Sequence, residues 1–470
     1  MERFIGRESE LSSLNKKYAT DKFQMAIIYG RRRIGKTTLL RKFCKNKKSV
    51  FFTAIKTTAD RNIELFSKTV VNSLAPELKG ISLNTVEDIF SFLADKCSTE
   101  RIVVVIDELP YLAKKDESFT SYLQKFIDEY FTSGKMFLIL CGSSVSFMED
   151  EVLSEKSPLF GRRTMQISLK PFNFRQTGLF LPSWSSYDKA IAYGITGGIA
   201  KYIALIDENL SIDENIINLF FTKEGYLYEE ADNLLTQEFR EVDTYGRIIE
   251  TISLGANQVT EIADKTGVAT QNISYFLRSL LETGIIQKKS AITEEHNKKK
   301  IIYVLNDEML SFWYRFIPDA IETIEAGNGE KYYYRNVKPL LNSYMGNIFE
   351  KMCRQFLIEE GMNGLFPSCI SQVGTWWGTN PEKKEQTDID VVGIDKLNKE
   401  AVIGECKFRN EITDKAVYDA LTERRSLLKG SYIVKELLIF SLSGFSDWLI
   451  NEEKNGKVML FCLDDLYNGQ

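Results

Sequence analysis

Two groups of residues, near opposite ends of the chain, have the types and spacing that phosphate chemistry needs. Residues 30–37 read GRRRIGKT, a glycine-rich loop followed by Lys and Thr, which is the pattern that binds the phosphates of a nucleoside triphosphate. Asp390, Glu405 and Lys407 are spaced like the residues of nucleases that use a divalent metal. The first group predicts that ATP is held, and the second predicts that a phosphodiester is cut.

The loop has the flanks that its pattern requires. An apolar run from Gln24 to Tyr29 stops at Gly30, and helical spacing resumes from Lys36, so we expect a strand, a loop and a helix. We predict that Lys36 reaches the β- and γ-phosphates as a catalytic residue and that the Thr37 hydroxyl ligates Mg²⁺. The predicted nucleotide-binding residues are Gly30, Arg31, Arg32, Arg33, Ile34, Gly35, Lys36, Thr37, Thr38 and Asp107.

A second apolar run, IVVVIDE at residues 102–108, is typical of a strand that is covered on both faces. It ends in two acids, Asp107 and Glu108. We predict that Asp107 holds the Mg²⁺ through water and that Glu108 orients or deprotonates the attacking water. Because Glu108 is present, we expect hydrolysis of ATP and not binding alone.

The motifs of the first half, in their order, resemble those of the archaeal-type ATPases of the AAA+/STAND group of P-loop proteins. The matching segments are FIGRESEL, GRRRIGKTTLL, VIDELPYL, CGSS and PLFGRRT, and the resemblance covers roughly residues 1–240. The family's GGxPxY element reads GGIAKY here, with Ala200 in place of proline. That departure weakens the assignment of Lys201 as a nucleotide sensor.

The same resemblance implies further catalytic residues. A third apolar run ends in Ser143 and Ser144, and Ser143 is positioned like the polar sensor that contacts the γ-phosphate or the water; a simple strand-end turn is the alternative. Arg162 and Arg163 are candidates for an arginine finger, in cis or from a neighbouring subunit, because guanidinium groups stabilise transferring phosphates. A structural arginine is the alternative, and the finger in trans would require a homo-oligomer.

The middle of the chain predicts two helical modules. Residues 172–242 have helical apolar spacing, as in a lid beside the ATPase core, and residues 243–306 read as a winged helix-turn-helix. Its expected recognition helix, 270–282, offers few cations, so DNA binding and a packing or relay role are both open. The polar and basic candidates for DNA contact are Gln271, Asn272, Ser274, Tyr275 and Arg278 on the helix and Lys288, Lys289, Lys298, Lys299 and Lys300 in the wing, where a solvated loop is the alternative.

Two strands are predicted after a helical connector, residues 307–345. TDIDVVGI at 387–394 and AVIGECKF at 401–408 are joined by a polar turn, which is typical of a β-hairpin. In hairpin register Asp390 and Glu405 meet across the pair, and Glu405 and Lys407 project from the same face. Two carboxylates so placed form an oxygen site for Mg²⁺ or Mn²⁺.

This segment resembles the PD-(D/E)XK nuclease core, on Glu350, Asp390 and Glu405-x-Lys407 together with the flanking GTWWG, TDIDVVG and GECKF. The resemblance implies that Asp390 and Glu405 are metal ligands, that Lys407 is the catalytic lysine, and that Glu350 on a preceding helix faces the metal. Asp388 is an outer or alternative ligand. Ile389 stands where that family usually has proline. A charged hairpin without metal, and a nuclease fold that binds without cutting, are the alternatives.

The expected fold class is therefore α/β: a P-loop NTPase core (residues 1–171) with a helical lid, a winged helix-turn-helix, and a restriction-endonuclease-like α/β domain over residues 346–470. The chain has 470 residues, a net charge of -5 and seven scattered cysteines without a CxxC spacing. These features argue against a zinc ribbon, a disulfide framework and a globally basic nucleic-acid binder. The single histidine, His296, makes histidine-based catalysis improbable. We expect a cytoplasmic protein without a membrane anchor.

The function expected from these residues is ATP-dependent action on nucleic acid, with DNA as the expected partner and the ATPase controlling a metal-dependent nuclease. One alternative is a signalling or regulatory ATPase whose distal domain only binds. Another is a transcription factor built on the winged helix, which would bind duplex DNA without Lys36 and Asp390.

Overall fold

The structure is a computed structural model that describes residues 4–78, 80–114, 118–294, 301–366, 368–381, 383–428 and 430–468. His296 and three of the wing lysines, Lys298, Lys299 and Lys300, lie outside the described residues. The chain forms two compact units. The N-terminal unit comprises Met1–Pro171 with Ile199–Lys201, and the C-terminal unit comprises Phe172–Gly198 with Tyr202–Gln470.

The N-terminal unit is built on a parallel five-stranded sheet with the order β2-β3-β4-β1-β5. Every residue of β1, β3 and β4 is buried, which explains the continuous apolar runs in the sequence. All three predicted strands are confirmed, although β3 ends before Glu108. The strands are β1 (Gln24–Tyr29), β2 (Ser49–Thr53), β3 (Val103–Asp107), β4 (Phe137–Gly142) and β5 (Met165–Ser168).

Helices connect these strands, as parallel pairing requires. Phe90 is the centre of an aromatic cluster on one face of the sheet, with ring centroids 5.7 Å from Phe119, 5.4 Å from Phe126 and 6.0 Å from Phe131. The helices are α1 (Glu8–Tyr18), α2 (Lys36–Cys44), α3 (Ala59–Leu74), α4 (Val86–Thr99), α5 (Pro110–Ala113), α6 (Ser118–Glu129) and α7 (Val145–Phe147).

A glycine fixes the point where β1 turns into the loop. Gly30 has φ +148°, and a Cβ atom there would lie 2.3 Å from the carbonyl oxygen of Leu169. Only glycine fits such a close approach. Strand β4 lies between β1 and β3, and the three strands are parallel. The loop after β1 and the acids at the end of β3 therefore lie at the same edge of the sheet.

The first part of the C-terminal unit is helical, as predicted. Three of its helices are followed by a two-stranded antiparallel hairpin, in which Ile286 pairs with Leu305 and Lys289 with Ile302. The helix predicted at 270–282 is confirmed. The elements are α8 (Phe174–Gly178), α9 (Ser186–Thr196), α10 (Ala200–Ile203), α11 (Ile212–Phe220), α12 (Glu230–Glu238), α13 (Val242–Ser253), α14 (Val259–Thr266), α15 (Thr270–Glu282), β6 (Ile286–Lys289) and β7 (Ile302–Leu305).

The second part contains a mixed five-stranded sheet with the order β12-β11-β10-β9-β8. Strands β8, β9 and β10 are antiparallel, and β10, β11 and β12 are parallel. The predicted hairpin is confirmed, with Val402 opposite Gly393. The elements are α16 (Glu308–Phe316), α17 (Ile321–Glu325), α18 (Gly329–Tyr332), α19 (Leu341–Met362), β8 (Gln372–Thr379), β9 (Gln386–Asp395), β10 (Glu400–Lys407), α20 (Lys415–Arg424), β11 (Ile433–Ser441), α21 (Asp447–Lys454), β12 (Met459–Cys462) and α22 (Leu463–Asn468).

The segment after β6 packs against this sheet. Ile292 donates a backbone hydrogen bond to the carbonyl oxygen of Thr375 in β8 at 3.0 Å, and Ala291 is fully buried. Lys289 is half-buried: desolvation, with a smaller contribution from Arg354, lowers its pKa to about 8. A solvated wing loop, the alternative for the lysine run, therefore does not describe Lys289.

A charged pair links two helices of the C-terminal unit. Lys351 of α19 donates to Glu308 of α16 at 2.5 Å, and the Glu308 side chain is only 10% exposed. An uncompensated carboxylate at this depth is costly.

We expect Lys351→Met to lower the free energy of unfolding by at least about 2 kcal/mol, because Glu308 would stay buried without its cation. The matched control is Lys265→Met, which breaks an exposed pair with Glu261 and should cost less than about 1 kcal/mol. Thermal unfolding checks both. Equal shifts in the two variants would contradict a buried role for the Lys351 pair, and Glu308→Gln combined with Lys351→Met should recover part of the loss.

Candidate functional site

The loop between β1 and α2 has the geometry of a phosphate cradle. Gly35 caps α2 with φ +94°, and the first N–H groups of the helix are available because no preceding turn accepts them. Lys36 is 6% exposed, and its Nζ donates to the carbonyl oxygens of Gly30 at 2.7 Å and Arg31 at 2.8 Å. Burial lowers the pKa of Lys36, while Cys141, Glu108 and Asp107 act in the opposite direction. The ammonium group is therefore held inside the loop.

A hydroxyl and a carboxylate meet beside this loop. Thr37 donates its Oγ1 hydrogen to Asp107 Oδ2 at 2.8 Å, and Asp107 is 1% exposed. The other oxygen of Asp107 accepts the backbone N–H of Glu108 at 3.0 Å. Hard oxygen ligands next to a phosphate cradle suit Mg²⁺, which keeps several waters of its own. These residues fit a magnesium nucleotide.

Glu108 leaves its strand in a left-handed backbone conformation, with φ +54°. Such a conformation is uncommon outside glycine and is found at functional sites. Ser143, at the end of the neighbouring strand β4, donates to Glu108 Oε2 at 2.7 Å. The two predicted catalytic residues therefore contact each other, and the hydroxyl fixes the direction of the carboxylate.

The outer part of the loop has partners that the sequence did not indicate. Arg32 donates to the hydroxyl of Tyr111 at 2.8 Å. The carbonyl oxygen of Arg33 accepts the backbone N–H of Lys201 at 3.1 Å, and a Cβ on Gly35 would lie 3.6 Å from Ala200. The GGIAKY element therefore contacts the loop through the backbone N–H of Lys201. This contact does not depend only on whether proline stands at position 200.

Arg7 is a second residue that the residue types did not single out, although it lies within FIGRESEL. It is 6% exposed and donates to the carbonyl oxygens of Ile34 at 3.4 Å and Lys170 at 2.5 Å. A buried arginine that satisfies loop carbonyls holds the cradle in place. The remaining predicted loop residue, Thr38, is exposed on the first turn of α2.

The two arginine-finger candidates contact other parts of the N-terminal unit. Arg162 binds Asp128 through Nε at 2.8 Å and NH2 at 2.6 Å, and Arg163 donates to the carbonyl oxygen of Leu153 at 3.3 Å. A bidentate carboxylate pair is the arrangement of a structural arginine. In this structure Arg162 is therefore engaged in a structural contact.

In the C-terminal unit, the predicted acids Asp390 and Glu405 lie on β9 and β10. Pairing of these strands runs to Gly404 opposite Val391, which places the two acids at the next position of the ladder. Asp390 is 9% exposed and Glu405 is 7% exposed. Asp390 Oδ2 accepts the backbone N–H of Cys406 at 2.8 Å. Both carboxylates are thus enclosed at the end of the hairpin that is remote from its turn.

Cations occupy both oxygens of Glu405. Lys407 donates to Oε1 at 2.7 Å, as the alternation along β10 predicts, and Arg424 at the end of α20 donates to Oε2. Arg424 was not anticipated, because nothing in the sequence places α20 beside β10.

The predicted helix acid, Glu350, lies on α19 and is half-buried. Arg354, one turn later, donates to Glu350 Oε2 at 3.2 Å, to Thr375 Oγ1 at 3.0 Å and to the carbonyl oxygen of Asp390 at 2.7 Å. Arg354 thereby ties α19 to β8 and β9. Its spacing of four residues from Glu350 was the available signal.

Electrostatic coupling joins the acids. Burial, followed by the negative charges of Glu405 and Glu350, raises the pKa of Asp390 to about 7. Burial also raises the pKa of Glu350. Asp388, the alternative ligand, is exposed. Across the residues that the structure describes, no group of three or more His, Cys, Asp or Glu side chains is arranged to hold a metal ion.

Within the described ranges, no helix is both long and apolar enough to cross a bilayer.

The contact between Ser143 and Glu108 predicts a difference between two adjacent serines. We expect Ser143→Ala to lower ATP turnover about 10- to 100-fold while ATP binding is retained, since a hydrogen bond to a charged group is lost. Ser144 makes no side-chain capping bond at α7, so Ser144→Ala should stay close to wild type. Steady-state phosphate release and nucleotide titration measure the two effects. Equal turnover in both variants would show that Ser143 does not orient Glu108.

Two domain families match parts of the chain. Residues 4–206 match the model of an ATPase domain predominantly from Archaea, and residues 313–419 match a model of archaeal and bacterial proteins of unknown function. The first match agrees with the parallel sheet and the phosphate cradle described above. The N-terminal part is an ATPase domain with a P-loop NTPase-like α/β core.

Several solved structures are similar over long stretches at low identity. The ORC2 protein of Aeropyrum pernix, solved as ADPNP-ADP complexes, is 14% identical and covers 70% of this chain and 97% of its own, with a TM-score of 0.47. A STAND protein with a tetratricopeptide repeat sensor, PH0952 from Pyrococcus horikoshii, is 18% identical and covers 77% of this chain and 50% of its own, with a TM-score of 0.32.

Sequence relatives occur in Methanocaldococcus jannaschii. The uncharacterized ATP-binding protein MJ0423 is 49% identical over 45 residues, which are 10% of this chain and 76% of the relative. The uncharacterized protein MJECL04 is 30% identical over 465 residues, which are 98% of this chain and 99% of the relative. The similarity to MJECL04 thus spans both the ATPase domain and the hairpin acids, and the chain belongs to the same family as this protein.

Proposed function

We propose that the protein is an ATP-driven switch that acts on nucleic acid and cleaves it with a divalent metal in the C-terminal domain. The observation that supports this most is the cluster at the end of the β9–β10 hairpin, where Asp390 and Glu405 are enclosed beside Lys407. Charged groups on the inner face of a sheet are costly unless they are paired or bind a metal.

The proposed domains follow the elements. We assign an ATPase core to residues 1–171, a helical lid to 172–242, a winged helix to 243–306, a helical connector to 307–345 and a PD-(D/E)XK nuclease-like domain to 346–470. Three helices followed by an antiparallel hairpin support the winged helix. The mixed sheet with acids on adjacent strands supports the nuclease-like domain.

In the ATPase site, the proposed roles follow the contacts. Lys36 would leave the loop carbonyls to bind phosphate oxygens, and Thr37 directly and Asp107 through water would hold Mg²⁺, which supplies charge neutralisation of the phosphates when it is bound. Glu108, directed by Ser143, accepts a proton from the attacking water. The backbone N–H of Lys201 binds the carbonyl oxygen of Arg33 in the loop, which supports a role for this segment in sensing the nucleotide.

In the nuclease-like site, Asp390 and Glu405 would hold Mg²⁺ or Mn²⁺, which supplies charge stabilisation and a more acidic water when it is bound. Lys407 then lies where it can neutralise charge that develops on the phosphate. Glu350 contributes negative potential from α19, and Arg354 fixes its position through Thr375 and the Asp390 carbonyl oxygen.

Cleavage is tested with plasmid and Mn²⁺, with and without ATP. We expect nicking or linearisation by the wild-type protein, loss of cutting with a chelator, and loss of cutting in Asp390→Ala. Glu385→Ala removes an exposed acid just before the same strand and should cut normally. Lys36→Ala should cut without any response to ATP. Gel electrophoresis of the products reads out each arm.

A second candidate function is a regulatory ATPase whose C-terminal domain binds nucleic acid or a partner without cutting. The observation in its favour is that Lys407 and Arg424 already neutralise both oxygens of Glu405. ATP turnover by wild type with intact plasmid in every arm would support this function and contradict the nuclease.

Nucleic-acid binding by the winged helix rests on the outer face of α15. Its polar candidates Gln271, Asn272, Ser274, Tyr275 and Arg278 are all exposed, and Tyr275 is 63% exposed. Exposed hydrogen-bonding side chains together with an aromatic ring can contact phosphates, bases or sugars.

We expect Arg278→Ala to weaken binding to duplex DNA and to reduce the salt dependence of the affinity by about one unit of slope, because one phosphate contact is lost. The control is Lys223→Ala, which removes an exposed cation paired with Glu325 and should leave the slope unchanged. Fluorescence anisotropy over a series of salt concentrations measures it. Identical slopes for wild type and Arg278→Ala would argue that α15 has a packing or relay role.

A further inference from the structure

Arg424 competes for the oxygen that a metal at the C-terminal site needs. The inference about this residue rests on the proposed nuclease function. Glu405 has two oxygens: Lys407 Nζ lies 2.7 Å from Oε1, and an Arg424 nitrogen binds Oε2. The Glu405 side chain is 9% exposed and the Arg424 side chain 22% exposed. The Lys407 side chain is 26% exposed, so both cations are partly open to solvent while Glu405 is enclosed.

The two cations come from different elements. Lys407 lies on β10 itself, two residues from Glu405, so its place is fixed by the strand. Arg424 is the last residue of α20, a helix anchored by the fully buried Leu421. Its long side chain can change rotamer without moving the helix. The position of Arg424 therefore depends on the packing of α20, whereas that of Lys407 depends on β10.

A divalent cation and a guanidinium group cannot share Glu405 Oε2 closely, because two positive charges at that distance repel strongly in a partly dry site. Without either one, Glu405 Oε2 would lose its cation, and Lys407 on Oε1 would be the remaining charge partner of Glu405 described here. Arg424 holds the site together in the absence of metal. Metal binding must then exchange with Arg424.

We propose that Arg424 is a positioning residue that holds Glu405 until a divalent metal binds, and that the released guanidinium group then binds a phosphate oxygen of the nucleic acid. A planar guanidinium group matches the geometry of phosphate oxygens and is always charged. No bond between heavy atoms changes in this step, because one cation replaces another on the Glu405 carboxylate. The exchange couples metal loading to substrate binding.

Arg425 provides a matched control within the same turn of chain. It carries the same charge one residue later, and it is exposed. Substitution of either arginine by glutamine removes one positive charge from this face of the domain. Of the two arginines, Arg424 is the one that contacts Glu405. A difference between the two variants therefore measures the contact and not the net charge.

The test is a calorimetric Mn²⁺ titration of the full chain without nucleotide, for wild type, Arg424→Gln, Arg425→Gln and Asp390→Asn. We expect Arg424→Gln to bind Mn²⁺ about tenfold more tightly than wild type, since no cation has to be displaced. Arg425→Gln should resemble wild type, and Asp390→Asn should lose the site. The gain should persist at about 1 M salt, where the Debye length is about 3 Å and distant charge effects are screened.

Cleavage gives the second readout. Arg424→Gln should cut plasmid at least about tenfold more slowly at saturating Mn²⁺, since the phosphate ligand is gone. A purely structural role would instead lower both metal affinity and cutting. Thermal unfolding identifies any variant that does not fold, and Arg424→Lys, which keeps a shorter cation, should then bind Mn²⁺ with an affinity between those of wild type and Arg424→Gln.

The outcomes separate the two proposals. If Asp390→Asn loses Mn²⁺ but Arg424→Gln binds it no more tightly than wild type and Arg425→Gln, the exchange is wrong and the metal site stands. If Asp390→Asn binds Mn²⁺ as well as wild type does, the metal site is wrong and the exchange falls with it.

Discussion

Charge that is enclosed at the end of a β-sheet must be compensated by nearby charge or by hydrogen bonds. The free-energy cost of desolvating an unpaired ion is large compared with the net stability of a folded protein. Both candidate sites are built under this constraint. Lys36 is satisfied by two loop carbonyls and Asp107 by a threonine hydroxyl and a backbone N–H. Asp390 and Glu405 are satisfied by a backbone N–H, a lysine and an arginine.

The two sites meet this constraint in different ways. In the ATPase loop the partners are mostly backbone groups, so the cradle keeps its shape while a ligand exchanges with them. In the C-terminal site the compensating groups are side chains from separate elements. A site of the second kind is sensitive to how its helices are placed, which makes it suited to regulation.

Contacts inside the C-terminal unit connect its helical part to the helix that carries Glu350. Gln355 of α19 donates to the Tyr193 hydroxyl of α9 at 3.0 Å, and Arg175 of α8 pairs with Glu359 of α19 at 3.1 Å. Because protein interiors are close-packed and barely compressible, a displacement of α9 would also displace α19.

The sequence alone was sufficient where a local pattern sets the structure. The GRRRIGKT loop, the acids after β3, the helix at 270–282 and the β9–β10 hairpin all follow from periodicity and spacing over a few residues, because backbone geometry allows few alternatives there. The pairing of Lys407 with Glu405 also followed from strand alternation. The sequence did not place Arg7 under the loop, Tyr111 on Arg32 or Arg354 on the Asp390 carbonyl oxygen.

The sequence by itself therefore determined the elements named in the preceding paragraph, the P-loop chemistry and the identity of the distal acids. Only the tertiary structure decided which cations neutralise those acids, because Arg424 lies 19 residues from Glu405 along the chain and reaches it through the packing of α20 on the sheet. It also decided that Lys289 is half-buried on β6 and that Arg162 is bound by Asp128. A contact between distant residues depends on how whole elements pack, and no local pattern records that arrangement.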